Sequence, residues 1–259
     1  MAHGPGKIHI GTSGWMYKDW GESFYPTDMK RGHLAYLART FDTVEVNSSF
    51  YHLPAKSTFE KWCRETPEHF VFSVKLSRYI THEKRIKSAR VALERFMRHA
   101  EPLRTKLGVV LVQLPPNLAY DKKVLGRFLQ DLFVVTERNF RVRVALEPRH
   151  KSWMNCLLDP DVRPLLWDRN IALVFPDSAK IPSFEPTIEN ITADFIYVRF
   201  HGPTSFASSR YGPRRLKPWA ERIARWSSGG FDVFVYFNND VHGHAIVDAR
   251  TLKRQLKLP

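Results

Sequence analysis

Short apolar runs rich in Val, Ile, Phe and Tyr recur along the chain at Ile8–Thr12, Thr43–Asn47, Phe70–Lys75, Gly108–Leu114, Val142–Glu147, Ile171–Phe175, Phe195–His201 and Asp232–Asn238. β-branched and aromatic residues favour strands, and turn residues follow each run. The intervening segments carry helical periodicity. In Ile86–Leu103, apolar residues fall at Ile86, Ala89, Leu93, Phe96, Met97, Ala100 and Leu103, one face of a helix. Lys87, Arg90, Arg95 and Arg98 occupy the other face, as on a solvated surface helix. Strand–helix units repeating roughly every 30 residues predict an α/β fold, a (β/α)8 TIM barrel, with residues 1–259 as a single domain. The rival is an open doubly wound sheet. No G-x-G-x-x-G or P-loop follows any strand, and the units are evenly spaced, which favours the barrel.

Within several runs the alternation is apolar/polar rather than uniformly apolar. Val44 and Val46 alternate with Glu45 and Asn47, and Phe72 and Val74 with Ser73 and Lys75. Val142, Val144 and Leu146 alternate with Arg143, Ala145 and Glu147; Ile196, Val198 and Phe200 with Tyr197, Arg199 and His201. The fourth run ends at Gln113, and in the eighth Tyr236 and Asn238 alternate with Val235 and Phe237. A parallel strand covered on both faces should read as nearly continuous hydrophobic sequence. The apolar set must face the helices, so the polar set, including Glu45, Lys75, Arg143, Glu147, Arg199 and His201, points inward, mostly toward the C-terminal strand ends. Buried ions are costly unless paired, and barrel active sites are built at that end. An inward set of this kind therefore points to function.

The loops after the runs add aromatic and hydrogen-bonding groups: Ser13, Trp15 and Trp20; Ser48 and Tyr51; Thr81 and His82; Arg149, His150 and Trp153; Asp177; Asn239 and Asp240. Ser13, Ser48 and Asp177 also stand where helix N-caps are expected. Together these residues resemble the lining of a polar-ligand site.

At these residues the chain resembles a known family. The matching segments are Gly11-Thr12-Ser13-Gly14-Trp15 with Phe24-Tyr25-Pro26, Thr43 to Tyr51, Phe72-Ser73-Val74-Lys75, and Gln113-Leu114-Pro115-Pro116. Further on come Glu147-Pro148-Arg149-His150 with Trp153, Tyr197 to Gly202, and Tyr236-Phe237-Asn238-Asn239-Asp240. Together they resemble the "domain of unknown function 72" (YecE-like) family over nearly the whole chain. The resemblance implies a TIM barrel and supplies no reaction. One departure stands out. Where the family often carries a Tyr-x-Gly-x-Tyr-like element, this chain has Ala207-Ser208-Ser209-Arg210-Tyr211, in which only Tyr211 matches.

The chain has 40 Lys and Arg against 26 Asp and Glu, a formal net charge of +14, and 43% hydrophobic residues. That composition excludes a disordered chain and suggests an anionic partner. No apolar run of about 18 residues occurs, so no membrane partner is expected, and Met1–Lys7 lacks the apolar stretch of a signal peptide. Two cysteines, Cys63 and Cys156, suit a reduced, cytoplasmic protein and read as small buried hydrophobes.

The expected function is an enzyme using acid/base chemistry on a small anionic, phosphate-bearing or polyol substrate. Glu147 is the expected acid or base, Glu45 its partner, and Lys75 and His201 complete the catalytic set. The expected substrate-binding residues are Ser13, Trp15, Asn47, Tyr51, Gln113, Arg149, His150, Trp153, Asp177, Arg199, Tyr211, Tyr236, Asn238 and Asn239. Arg210, Arg214, Arg215 and Lys217 follow the seventh run, where barrels often hold phosphate. Without a dinucleotide fingerprint, hydrolase, lyase or isomerase chemistry is favoured over hydride transfer. A divalent metal is only weakly signalled, by His201, Glu147 and Asp177 and by His242 and His244. Two alternatives remain: a nucleic-acid-binding protein with phosphodiester chemistry, drawn by the basic charge, and a barrel that binds a ligand without catalysis.

Overall fold

The computed structural model describes residues 4–21, 23–137 and 142–259; of the N-terminal leader reading, Met1–His3 lie outside the described residues. Eight parallel strands close a barrel in chain order: β1 (Ile8–Ser13), β2 (Thr43–Val46), β3 (Val71–Lys75), β4 (Leu107–Gln113), β5 (Arg143–Glu147), β6 (Ile171–Asp177), β7 (Phe195–Phe200) and β8 (Asp232–Phe237). Each lies within two residues of the apolar run that predicts it. This is the (β/α)8 architecture.

The chain forms two compact units. The first comprises residues up to Glu45, Phe175–Ile181 and Asp194–Pro259. In it β1 pairs with both β8 and β2, and β8 with β7. Helix Gly212–Ser228 packs Leu216, Trp219, Ala220, Ile223 and Trp226 inward, a spacing of three and four that makes one apolar stripe. Every residue of β7 is buried, Arg199 included.

The second unit comprises Val46–Val174 and Pro182–Ala193. Here β3 pairs with β4, β4 with β5 and β5 with β6. Helix Arg90–Ala100 buries Leu93, Phe96, Met97 and Ala100, as its periodicity predicts, but it starts four residues later than expected. Arg85, Ile86 and Ser88 have positive φ, which ends helical geometry there. A π-helical turn, Tyr79–Glu83, precedes this strained stretch. Arg143 also differs from expectation: it opens β5 and so lies at the end opposite Glu147. Cys63 falls in helix Lys56–Glu65. Cys156 is buried, and burial pushes its thiol up to about 12, as expected of an inert packed cysteine.

Gly11 sits where β1 meets β2. A Cβ there would lie 2.1 Å from the Thr43 carbonyl oxygen, and backbone cannot give way as a flexible side chain can. Gly11→Ala is therefore expected to destabilise the protein by about 1–3 kcal/mol or more. Chemical denaturation checks this.

Candidate functional site

In the first unit, Glu45 is in register with Ser13. Its carboxylate is fully buried and has four donors. Ser13 Oγ (2.7 Å) and Arg199 Nη2 (2.6 Å) donate to Oε1; Tyr197 OH (2.7 Å) and Arg199 Nε (2.9 Å) donate to Oε2. Tyr197 and Arg199 reach one carboxylate because residues two apart on a strand share a face. Burial alone pushes the Glu45 acid up. The Arg199 charge and hydrogen bonds, with those of Tyr197 and Ser13, outweigh it and hold the carboxyl below its ordinary value.

Asp240 lies three residues beyond β8 and is 8% exposed. Burial, reinforced by the Glu45 charge, pushes its carboxyl well above the ordinary range. Tyr17 lies beside it, and the Tyr17 hydroxyl donates to the Ser13 carbonyl. Burial and Asp240 together raise the Tyr17 phenol as well.

The remaining candidates of this unit form a hydrogen-bonded layer. Asp177 Oδ1 accepts from Tyr211 OH (2.9 Å), and its Oδ2 from Trp219 Nε1 (2.7 Å). Asn239 Nδ2 donates to Asp248 Oδ2 (2.9 Å) and to the Ser209 carbonyl (3.0 Å). Asn238 Nδ2 lies 3.0 Å from His201 Nδ1, and His201 stacks on Phe206 at 5.4 Å. Tyr236 OH meets Thr43 Oγ1 at 2.7 Å, both buried. Trp15 is half-buried, with its carbonyl accepting from Tyr25 OH (2.5 Å).

In the second unit, Lys75 ends β3, its Nζ 4.3 Å from the Phe50 ring centroid. His82, on the π-helical turn, meets the same ring edge-on at 4.9 Å, while its Nδ1 pairs with Thr81 Oγ1 (2.8 Å). Phe50 is held there because Ser49 Oγ donates to the Lys75 carbonyl (2.7 Å), tying helix Ser48–Tyr51 to the end of β3. Burial pushes the His82 imidazole down to about 4, and Lys75, Arg78 and Arg149 push it the same way. Glu147 ends β5, fully buried, with Oε1 accepting from Arg149 Nε (2.7 Å). Gln113 is its register neighbour on β4 and donates Nε2 to the Leu114 carbonyl (2.8 Å). Asn47 is half-buried at the head of the Ser48 helix, and Tyr51 is 69% exposed. His150 Nδ1 pairs with Ser152 Oγ at 2.8 Å.

Several sequence expectations change. Glu45 cannot serve as a free acid/base partner, because Arg199, Tyr197 and Ser13 take up both its oxygens. Trp153 is not a wall aromatic: it is 1% exposed and donates Nε1 to the Leu118 carbonyl (2.8 Å), packed against Tyr120. Tyr236, Tyr211, Asp177 and Asn239 are hydrogen-bonded to other parts of the protein. The N-cap reading also fails: the Ser13 hydroxyl goes to Glu45, Asp177 to Tyr211 and Trp219, and Ser48 follows an N-cap at Asn47 that lacks a side-chain cap bond. Arg210 lies 3.8 Å from buried Asp248, while Arg214, Arg215 and Lys217 are exposed on their helix. Among the described residues no three His, Cys, Asp or Glu side chains gather as a metal site, and no helix is long and apolar enough to cross a membrane.

Three residues matter more than the sequence indicated, although His82 and Asp240 already stood among its loop polar groups. Tyr17 had no signal beyond lying four residues after Ser13. Asp240 was masked by Asn238-Asn239-Asp240, which reads as a polar turn. His82 was masked by a segment whose periodicity gives no hint of a π-helical turn.

The family model described as "Protein of unknown function DUF72" matches residues 9–259. The UPF0759 protein YunF of Bacillus subtilis is 26% identical, the alignment covering 97% of this chain and 95% of that protein. The UPF0759 protein YecE of Escherichia coli is 23% identical over 85% of this chain and 82% of its own length. Among solved structures, a DUF72 family protein from Thermotoga maritima superposes with a TM-score of 0.82 at 28% identity, covering 97% of this chain and 99% of that one.

The Glu45–Arg199 pair makes a direct prediction. Arg199→Met leaves a buried carboxylate without its cation and should cost about 3–5 kcal/mol. Glu45→Met with Arg199→Met removes both charges and should recover part of that loss in an equilibrium denaturation series.

Proposed function

This chain belongs to the DUF72 family, and we propose that it is an enzyme working by acid/base chemistry on a small anionic substrate at the C-terminal ends of β3 and β5. The carrying observation is that Lys75 and His82 meet the same Phe50 ring, that Arg78 and Arg149 also bear on this imidazole, and that Arg149 holds the buried carboxylate of Glu147. Cations converging near neutral imidazole suit an anionic group, and a guanidinium suits phosphate or carboxylate geometry. Strand ends are also where barrel enzymes carry their chemistry.

In this reading Lys75 and Arg149 receive the anionic group. Glu147, oriented by Arg149 Nε, exchanges a proton with the substrate carbon or hydroxyl. His82 stays neutral at pH 7, so it donates or accepts a hydrogen bond without adding to the positive charge. Phosphate-bearing substrates are favoured over neutral polyols because the cations then meet a full charge. With no nucleotide-binding glycine loop in the sequence, hydrolysis, elimination or isomerisation is favoured over hydride transfer.

Two experiments test this. The His82 ring, followed by NMR, should titrate near 4 in the free protein and move upward when inorganic phosphate is added, since a nearby anion favours the protonated ring. Arg149→Met should remove that response; a His82 titration indifferent to phosphate would sink the anion site. In a turnover screen of phosphorylated sugars and hydroxy acids, Glu147→Gln should lower kcat by about 10²–10⁴-fold while the protein stays folded at the assay temperature. Wild-type rates in that variant would remove Glu147 from the chemistry.

A further inference from the structure

The first unit holds a second chemistry-bearing group, and its protonation follows from counting hydrogen bonds and charges. Two carboxyls, Glu45 and Asp240, are buried there, and the charges of Glu45 and Arg199 both act on Asp240. Arg199 is committed to Glu45 through two nitrogens, and Tyr197 and Ser13 complete that carboxylate. One cation balances one anion. A second ionised carboxylate in the same buried cluster would stand uncompensated, which proteins avoid by neutralising the group.

The hydroxyl count leads to the same place. Tyr17 has a single hydroxyl proton, and it goes to the Ser13 carbonyl, which can only accept. A phenol proton given to Asp240 would favour the ionised carboxyl, but the Tyr17 proton is shared with or lost to the Ser13 carbonyl. The other face of the carboxyl is open in the same sense: Asp240 Oδ1 is buried and meets no hydrogen-bond partner among the described residues.

We infer that Asp240 is held as a neutral carboxylic acid at neutral pH and is a proton donor at the C-terminal end of β8, for a substrate oxygen that gains negative charge. In the transfer, the proton leaves the Asp240 carboxyl as the substrate oxygen–hydrogen bond forms, and the aspartate carboxylate remains. The ligand class is an oxygen acceptor, a hydroxyl or carbonyl group of a small polar molecule. The catalytic half of this inference rests on the enzyme reading above; the protonation state does not.

Protonation can be read without any substrate. Isotope-edited infrared difference spectra of wild type against Asp240→Asn should show a protonated carboxyl at pH 7. A carboxylate band there would overturn the inference. Stability gives an independent readout. The folded Asp240 pKa lies above the unfolded value of about 3.9, so its contribution is complete below that value and is lost as pH rises toward the folded pKa. Across that window the wild-type unfolding constant should rise about tenfold more per pH unit than that of Asp240→Asn, which binds no proton. Parallel profiles would also overturn it. Should the screen yield a turnover, Asp240→Asn keeps a hydrogen-bond donor but loses the transferable proton, so kcat should fall about 10²-fold or more with KM little changed. Undiminished kcat would remove the donor role. A screen without turnover would count against the enzyme reading alone, since the infrared band is read regardless.

Discussion

The ion pair between Glu45 and Arg199 is the constraint around which the first unit is arranged. A buried ion pair is a poor source of stability, because desolvation offsets much of the attraction. Its value is specificity. Four donors from two strands, β1 and β7, converge on one carboxylate of β2, so a one-residue slip of any of the three would turn its contributing residue toward the opposite face. The pair also sets the chemistry beside it. With Arg199 committed, Asp240 has no cation of its own, and its neighbours are a phenol and an anion.

The carboxylates of this protein thus have different fates set by surroundings rather than residue type. Glu45 is ionised and saturated. Asp240 is driven toward neutrality by burial and the Glu45 charge. Glu147, equally buried, is joined to Arg149 in a neighbourhood where Lys75 and Arg78 also act. Environments that push titratable groups apart are the usual basis for assigning acid and base roles.

The strands were legible because parallel β-structure writes itself as short β-branched and aromatic runs, and the alternation within them marked Glu45, Glu147 and Arg199 as buried polar residues. Polar alternation does not say how a buried group is satisfied, so Glu45 read as reactive although its oxygens are fully engaged. Aromatic residues after strands read as ligand walls, yet Trp153 is packed beneath the surface, because an indole can satisfy its one N–H on a backbone carbonyl and then behave as a hydrophobe. The early start expected for the Arg90 helix failed at Ile86, where apolar periodicity continues but the backbone turns left-handed. Asp240 and His82 were opaque for a related reason: each owes its character to partners distant in sequence.

The pairing of β1 with β8 has a consequence for how the chain is made. Ile8 lies against Val233, and Lys7 donates to Asp232, 225 positions away. During synthesis β1 can meet β2 early, but its other edge waits for β8 until some 225 further residues have been made. The strands β3 to β6, by contrast, follow one another and can pair as they appear. Closing such long-range contacts late is slow, and throughout that interval an apolar strand edge stays open. The cell thus carries a nascent chain whose strands β3 to β6 have partners early and whose first strand keeps one edge exposed to aggregation or chaperone capture until β8 is made.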